Sequence, residues 1–199
     1  MTTQTPAFLS IAAEEDPPGR SGHEALLAAA LGGDGRAFSQ LVRPHLKLLY
    51  GIAHRACGDA TLAEDAVQET LLLAYRRLGR LREHSALRAF LAGIASRRAR
   101  TLLRGAKRRA ARELSSREPA RTARADEVLD ASRLAARIRS ALDDLPAKRQ
   151  QVVILRLEGK MSDQEIAEAL GTSEGSVRVL AHLGMKQLRA SLEGEGGSR

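Results

Sequence analysis

Gly171-Thr172-Ser173-Glu174-Gly175 has the G-x-S-x-G spacing with which hydrolases expose a serine nucleophile. Such an elbow needs a strand before the serine and a helix after it, with an acid and a histidine supplied from elsewhere in an α/β sheet. Here the preceding residues read as helix. Ser162-Asp163-Gln164-Glu165 has the spacing of a capping box, Ile166, Ala167 and Leu170 follow at helical intervals, and Gly171 falls where a helix stops. Ser173 then takes the N-cap of the next helix, where its oxygen accepts backbone N–H groups that would otherwise lack partners. The pattern is helix, tight turn, helix. Other catalytic chemistry finds no support: G-x-x-x-x-G-K-[ST] and H-E-x-x-H are missing, and histidines 23, 45, 54, 84 and 182 have no partners at ligand spacing. We therefore expect no catalytic residue, no metal and no cofactor. A single cysteine, Cys57, excludes an internal disulfide and reads as a small packed side chain.

Charge is more informative. Lys and Arg outnumber Asp and Glu by 32 to 24, and the excess is concentrated: residues 97 to 124 hold eleven basic residues against two acidic ones. Arg97, Arg98, Arg100, Arg104, Lys107, Arg108, Arg109 and Arg112 lie on and just past an expected helix, dense enough to neutralise several phosphates. A solvated tail would look similar, but the apolar helical face beside these residues fixes where their charge sits. Asp65 and Glu69 are one turn apart, as are Glu64 and Gln68. Like charges at that spacing mildly destabilise a helix, and they suit a basic protein surface better than DNA. Arg178, His182, Lys186 and Arg189 form a stripe on the helix after Ser173, opposite Val177 and Leu180. Any helical hairpin can carry a solvated basic stripe; here turn, caps and core positions agree on a helix built to enter a major groove.

The elements that position these residues are helices throughout. Alanine, leucine and arginine dominate, and alternation at period two is absent. Helices are expected from about residue 23 to 31, from about 36 with a break at Pro44, from 46 to 55, from a capping box at Thr61-Leu62-Ala63-Glu64 toward Leu78, from 86 into the Arg-rich run, from 133 to 142, and after Pro146 to 157. Residues 79–85 read as a polar loop. The expected fold is all-α: a disordered tail over 1–20, a helical bundle over 21–112, a flexible linker over 113–132, a second, helix-turn-helix bundle over 133–193 and a tail over 194–199. The first twenty residues lack a basic segment followed by a sustained apolar run, so neither a secretory signal nor membrane insertion is expected and the chain is read as cytoplasmic.

Three stretches in this order resemble a bacterial sigma factor of the sigma-70 family, extracytoplasmic-function group: AEDAVQETLLLAY (63–75), AFLAGIASRRARTLLR (89–104) and LPAKRQQVVILRLEGKMSDQEIAEALGTSEGSVRV (145–179). The resemblance implies that the two bundles are sigma domains 2 and 4, that core RNA polymerase is the partner through its β′ clamp helices and β flap, and that promoter DNA is bound. Carried onto this sequence, it implies polymerase binding by Glu64, Asp65, Gln68 and Glu69. It implies contact with the downstream promoter element by Arg80, Arg82, His84, Ser85, Arg97, Arg98, Arg100 and Arg104, and reading of the upstream element by Ser173, Glu174, Ser176, Arg178, Val179, His182 and Lys186. It also implies restraint by an anti-sigma factor and a stress- or signal-responsive set of target genes. The chain departs from the family in having Phe90 where members commonly have Trp, Leu81 and Leu87 where they have aromatics, and Val179, Leu180 and Leu183 where they often have Arg or Ser. Phe90 reads as core; Val179 and Leu183 fit either thymine methyl groups or an anti-sigma factor. A helix-turn-helix regulator acting without core polymerase is the alternative.

Overall fold

The computed structural model describes residues 20–81, 86–115 and 130–194. Among them nine α-helices and no strands are found: α1 Arg20–Leu31, α2 Gly35–Val42, α3 Leu46–Cys57, α4 Ala60–Arg76, α5 Leu87–Ser115, α6 Asp130–Asp143, α7 Ala147–Leu157, α8 Asp163–Leu170 and α9 Glu174–Gly194. The tails of the sequence-based expectation, apart from Arg20 and Gly194, which lie in α1 and α9, and most of its linker fall outside the described residues. At the linker's two ends α5 runs on to Ser115 and α6 begins at Asp130, so each helix extends into the segment expected to be linker.

The front bundle, α1 to α5, forms because short helices each present one apolar stripe to a common centre. Phe38, Leu41 and Val42 of α2, Leu49 and Ile52 of α3, Val67 of α4, and Leu87, Leu91 and Ile94 of α5 are all buried. Pro44 has the expected effect: Arg43–His45 is a single 3₁₀ turn that redirects the chain between α2 and α3. The start of α4 differs from expectation. Asp59, not Thr61, is its N-cap, with its carboxylate accepting from the Leu62 N–H at 2.8 Å. Gly58 in the left-handed region (φ 69°) ends α3 and hands Asp59 an extended backbone, so the cap forms two residues earlier than the Thr61 pattern suggests. At its other end α4 stops at Arg76, and Leu78–Arg80 is a 3₁₀ turn that buries Leu78.

The rear bundle packs α9 across α6, α7 and α8. Val152, Val153 and Leu155 of α7, Ile166 of α8, and Val177, Ala181 and Leu188 of α9 close its centre.

The two bundles share one continuous apolar cluster, a contact absent from the sequence-based expectation. Helix α8 lies on α5 so closely that a Cβ on Gly93 would stand 2.2 Å from the Ala169 carbonyl oxygen. Beside this approach the Gln151 amide donates to the Ser96 hydroxyl at 3.2 Å, with both side chains buried. Arg55 meets Glu158 at 3.2 Å, and Arg139 donates to the Gly58 carbonyl at 2.8 Å.

Cys57 is buried, donates to the Ala99 carbonyl at 3.4 Å, and has its thiol pushed up to about 11 by burial, with the charge of Asp59 adding to the effect. A thiol-specific chromogenic reagent at about pH 8 should therefore leave the native protein unmodified and label Cys57 fully in denaturant, because only the thiolate is the nucleophile. Rapid labelling of the native protein would contradict this packing.

Candidate nucleic-acid and protein interfaces

On α4 the buried positions are Ala63, Ala66, Val67, Thr70 and Ala74. The opposite face exposes Asp65 and Gln68 to solvent, with Glu64 and Glu69 half-buried on its flanks. Continuing at the same helical step, this face ends in Leu72 and Tyr75, which are 61% and 39% exposed. They border a groove of about 490 Å³ lined by Phe38, Val42, Leu46 and Leu71. The Tyr75 hydroxyl donates to the Gly33 carbonyl at 2.8 Å and its ring meets Phe38 edge-on, which fixes one wall of the groove. Sequence reasoning named the carboxylates and missed the apolar end. The signal was available: Leu72 and Tyr75 fall out of phase with the buried set. A face with carboxylates at one end and an apolar groove at the other is suited to another protein, since an apolar groove gives phosphate nothing.

The basic residues of α5 do not form one uniform field. Arg97 donates to the Ala169 carbonyl at 2.9 Å, and its guanidinium is held below its ordinary value by burial first and by Arg77 and Arg98 second. Arg98 pairs with Glu69 at 3.5 Å, so a candidate strand contact and a candidate polymerase contact neutralise each other here. Arg100 is lowered by burial and then by Arg104. Arg104 and Arg108 flank Thr101 and Lys107 around a shallow pocket, and Lys107 reaches Asp143 of α6 at 3.1 Å. Arg109, Arg112 and, in the 3₁₀ turn, Arg80 are exposed. Arg82, His84 and Ser85 lie outside the described residues. Phe90 is half-buried against the core, in keeping with a packing role.

The helix-turn-helix forms as its local chemistry dictates. Ser162 and Glu165 make both bonds of the capping box, at 3.2 and 2.8 Å. Burial alone would raise the Glu165 carboxyl, but the Ser162 N–H and the Arg88 guanidinium outweigh it and hold the group below its ordinary value. Gly171 sits at φ 66°, a left-handed turn that Gly adopts without a Cβ penalty, and Thr172 N–H reaches back to the Ala167 carbonyl at 2.9 Å. Ser173 accepts from the Ser176 N–H at 3.2 Å and contacts its hydroxyl at 2.9 Å. Its oxygen is a helix cap.

Helix α9 places Glu174, Ser176, Arg178, His182, Lys186 and Arg189 on the surface. Val179 and Leu183 are 59% and 37% exposed one step around from that stripe. Arg178 is held within the motif, at 3.7 Å from Asp163 and 3.5 Å from Glu174, and Asp163 also pairs with Arg156. An exposed helix carrying cations and methyl groups after a tight turn can enter a major groove and touch both phosphates and bases. Among the described residues no helix is long and apolar enough to cross a membrane, and no group of His, Cys, Asp and Glu could hold a metal.

Comparison with known proteins agrees with this geometry. The family model "Sigma-70 region 2" matches residues 41–109 and "Sigma-70, region 4" matches residues 135–188. The chain is 30% identical to the ECF RNA polymerase sigma factor SigD of Mycobacterium tuberculosis, over 87% of this chain and 85% of that one. It is 34% identical to the RNA polymerase sigma factor CarQ of Myxococcus xanthus, over 78% and 89%. It is 32% identical to the ECF RNA polymerase sigma factor SigE of Mycolicibacterium smegmatis, where the match covers 77% of this chain but 60% of the relative. Among solved structures it resembles CnrH in complex with the cytosolic domain of CnrY, with TM-score 0.64, 28% identity and coverage of 87% and 98%. The sigma factor RpoE of Bartonella quintana, solved with the anti-sigma factor NepR, shares the fold at TM-score 0.55 and 22% identity, with coverage of 79% and 98%.

Loss of the α8 cap tests the local account. Ser162→Ala removes one bond of the capping box and should cost about 1 kcal/mol. Urea unfolding followed by circular dichroism reads this as a lower midpoint with an unchanged slope; an unaltered midpoint would mean that the cap contributes nothing.

Proposed function

Because the chain belongs to the extracytoplasmic-function group of the sigma-70 family, we propose that it binds core RNA polymerase and directs it to promoters. The observation that carries this reading is the pairing, in one chain and in family order, of an acidic and apolar face on α4 with a capped helix-turn-helix whose second helix is basic and exposed. A DNA-binding regulator acting alone has use for the second feature and none for the first.

Asp65 and Gln68, together with Glu64 and Glu69, meet the β′ clamp helices, and Leu72 and Tyr75 add the apolar part of that contact. Charge at the carboxylate end orients the encounter and apolar burial holds it. Arg80, Arg98, Arg100 and Arg104, with the segment holding Arg82, His84 and Ser85, take the separated strands of the downstream element. Arg97 joins them once it is released from Ala169. Only five aromatic residues occur in the whole chain, so strand capture rests on phosphate neutralisation more than on base stacking. The upstream element is read as duplex by α9: Ser173 and Ser176 at its N-terminus approach phosphate, Arg178 and Val179 approach bases, and His182 and Lys186 follow the backbone. The protein does no covalent chemistry; the polymerase does. It works in the cytoplasm, where its partners are, and an anti-sigma factor restrains it; the similar CnrH was itself solved in complex with the cytosolic domain of a second protein, CnrY.

Two measurements test the reading. In binding to purified core polymerase, Asp65→Lys should weaken affinity by about tenfold, since a reversed charge meets a surface complementary to the original. It is a cleaner probe than Glu69→Lys, which also sets a second cation against Arg98. Undiminished core binding would remove α4 from the contact. For the holoenzyme on a promoter that it transcribes in a run-off assay, Lys186→Ala should lower the slope of log affinity against log salt by about one, the loss of a single phosphate contact. An unchanged slope would place Lys186 away from DNA, and core polymerase that gains no promoter-dependent product from the protein would end the proposal.

A further inference from the structure

The outward side of α9 is of mixed chemistry, and its middle is apolar. Val177 and Ala181 are fully buried, and Val179 stands two residues from each of them. At about 100° per residue, that places Val179 on the side of the helix directly away from the core. It is 59% exposed, and Leu183, one turn on, is 37% exposed. One turn before Val179 stands Gly175, where a Cβ would meet nothing within 4 Å. Packing inside the protein therefore gives no reason for a glycine, which weakens a helix relative to alanine. Bare backbone facing outward fits close approach by something outside the chain.

Gly175, Val179 and Leu183 thus form a lane with no side-chain donor or acceptor. Ser176, beside it, has its hydroxyl on that of Ser173 at 2.9 Å. Arg178 lies about a quarter turn from Val179, with Asp163 and Glu174 at 3.7 and 3.5 Å. On the same side as Arg178, His182, Lys186 and Arg189 are exposed along the border of the lane. Cations along one border suit a polyanion, whereas two apolar side chains are too little surface for a stable protein interface, which buries about 800 Å² per partner.

In a major groove the edges of guanine, cytosine and adenine offer only hydrogen-bonding groups. Laid under the lane, those groups would lose water and gain no partner, a loss larger than the gain from an apolar contact. Thymine alone presents a methyl group there. Resting on the sigma-factor reading above, we propose that Val179 is a specificity-determining residue for the upstream element and selects thymine by its C5 methyl. Leu183 closes the side of that contact, and Gly175 lets the base pair come up to the helix backbone. His182 and Lys186 hold phosphates and set the register without choosing a base.

For the test, holoenzyme made from core polymerase and the full chain selects duplexes from a promoter library randomised over the upstream element, and the free chain is carried through the same selection. The selected duplex is remade with deoxyuridine for thymine in that element, which removes the methyl groups and leaves every hydrogen-bonding group in place. Fluorescence anisotropy measures the affinity of the starting protein, Val179→Ala and Gly175→Ala for both duplexes, and thermal melting followed by circular dichroism reports folding. Deoxyuridine should weaken binding of the starting protein about fourfold, the effect of one buried methyl group. Val179→Ala should lose about as much on the thymine duplex and nothing further on deoxyuridine. Gly175→Ala should melt no lower than the starting protein, since alanine is the better helix former, and still bind the thymine duplex more weakly. Equal affinity of the starting protein for the two duplexes would overturn the proposal. So would a Val179→Ala protein that still separates them about fourfold, which would place the methyl contact elsewhere and leave this face to a protein partner. Undiminished binding by Gly175→Ala would strike the close approach of the base pair. Failure of the holoenzyme to give promoter-dependent product would count against the sigma-factor reading, while duplexes selected by the free chain would still judge Val179. If neither selects any duplex, both fall.

Discussion

One helix, Leu87–Ser115, has to satisfy three neighbours with a single surface, and the arrangement of the rest follows from that. Leu87, Leu91 and Ile94 seal the front core, Gly93 and Ser96 receive the rear bundle, and the far turns are left to arginine. An α-helix offers only about 3.6 residues per turn, so three such roles cannot be separated around its circumference alone. The first two roles interleave on different sides of the same turns, Leu87, Leu91 and Ile94 facing one bundle while Arg88, Gly93 and Ser96 face the other, and only the arginine-rich role is set apart along the length.

Charge is organised by the same economy. Glu69 and Arg98 lie on adjacent helices and meet at 3.5 Å, although one belongs to the face suited to protein and the other to the face suited to DNA. A half-exposed pair of this kind holds little energy. Its importance is geometric: it marks the ridge where the two faces touch, so binding events on either side act on neighbouring residues. Asp65 and Gln68 stand further from that ridge and remain solvated.

The parts of the structure that local chemistry controls could be read from the sequence. The Ser162–Glu165 box, the left-handed Gly171 and the Ser173 cap each depend on residues within one turn, and together they remove the hydrolase reading of G-T-S-E-G. The start of α4 was misplaced because two good caps, Asp59 and Thr61, stand two residues apart and the conformation of Gly58 chooses between them. Leu72 and Tyr75 were left out because the contact face was sought through its charges alone, although both residues fall out of phase with the buried set. The contact between the two bundles was not legible at all. Its contacts join residues some seventy positions apart, and its only local trace is a glycine inside a helix, which has many possible causes. The expected arginine field of α5 was right in location and too simple in availability, since nothing in composition shows that Arg97 and Arg98 already have partners.

Asp163 gives the recognition helix a property of its own. It stands between Arg156 and Arg178, so the guanidinium proposed above to approach a base pair begins at home, within reach of Asp163 and Glu174. Touching DNA is then an exchange of one anionic neighbour for another, not the rescue of a stranded cation. These home contacts are exposed to solvent and weak, so they set where the side chain starts more than what it costs to move it.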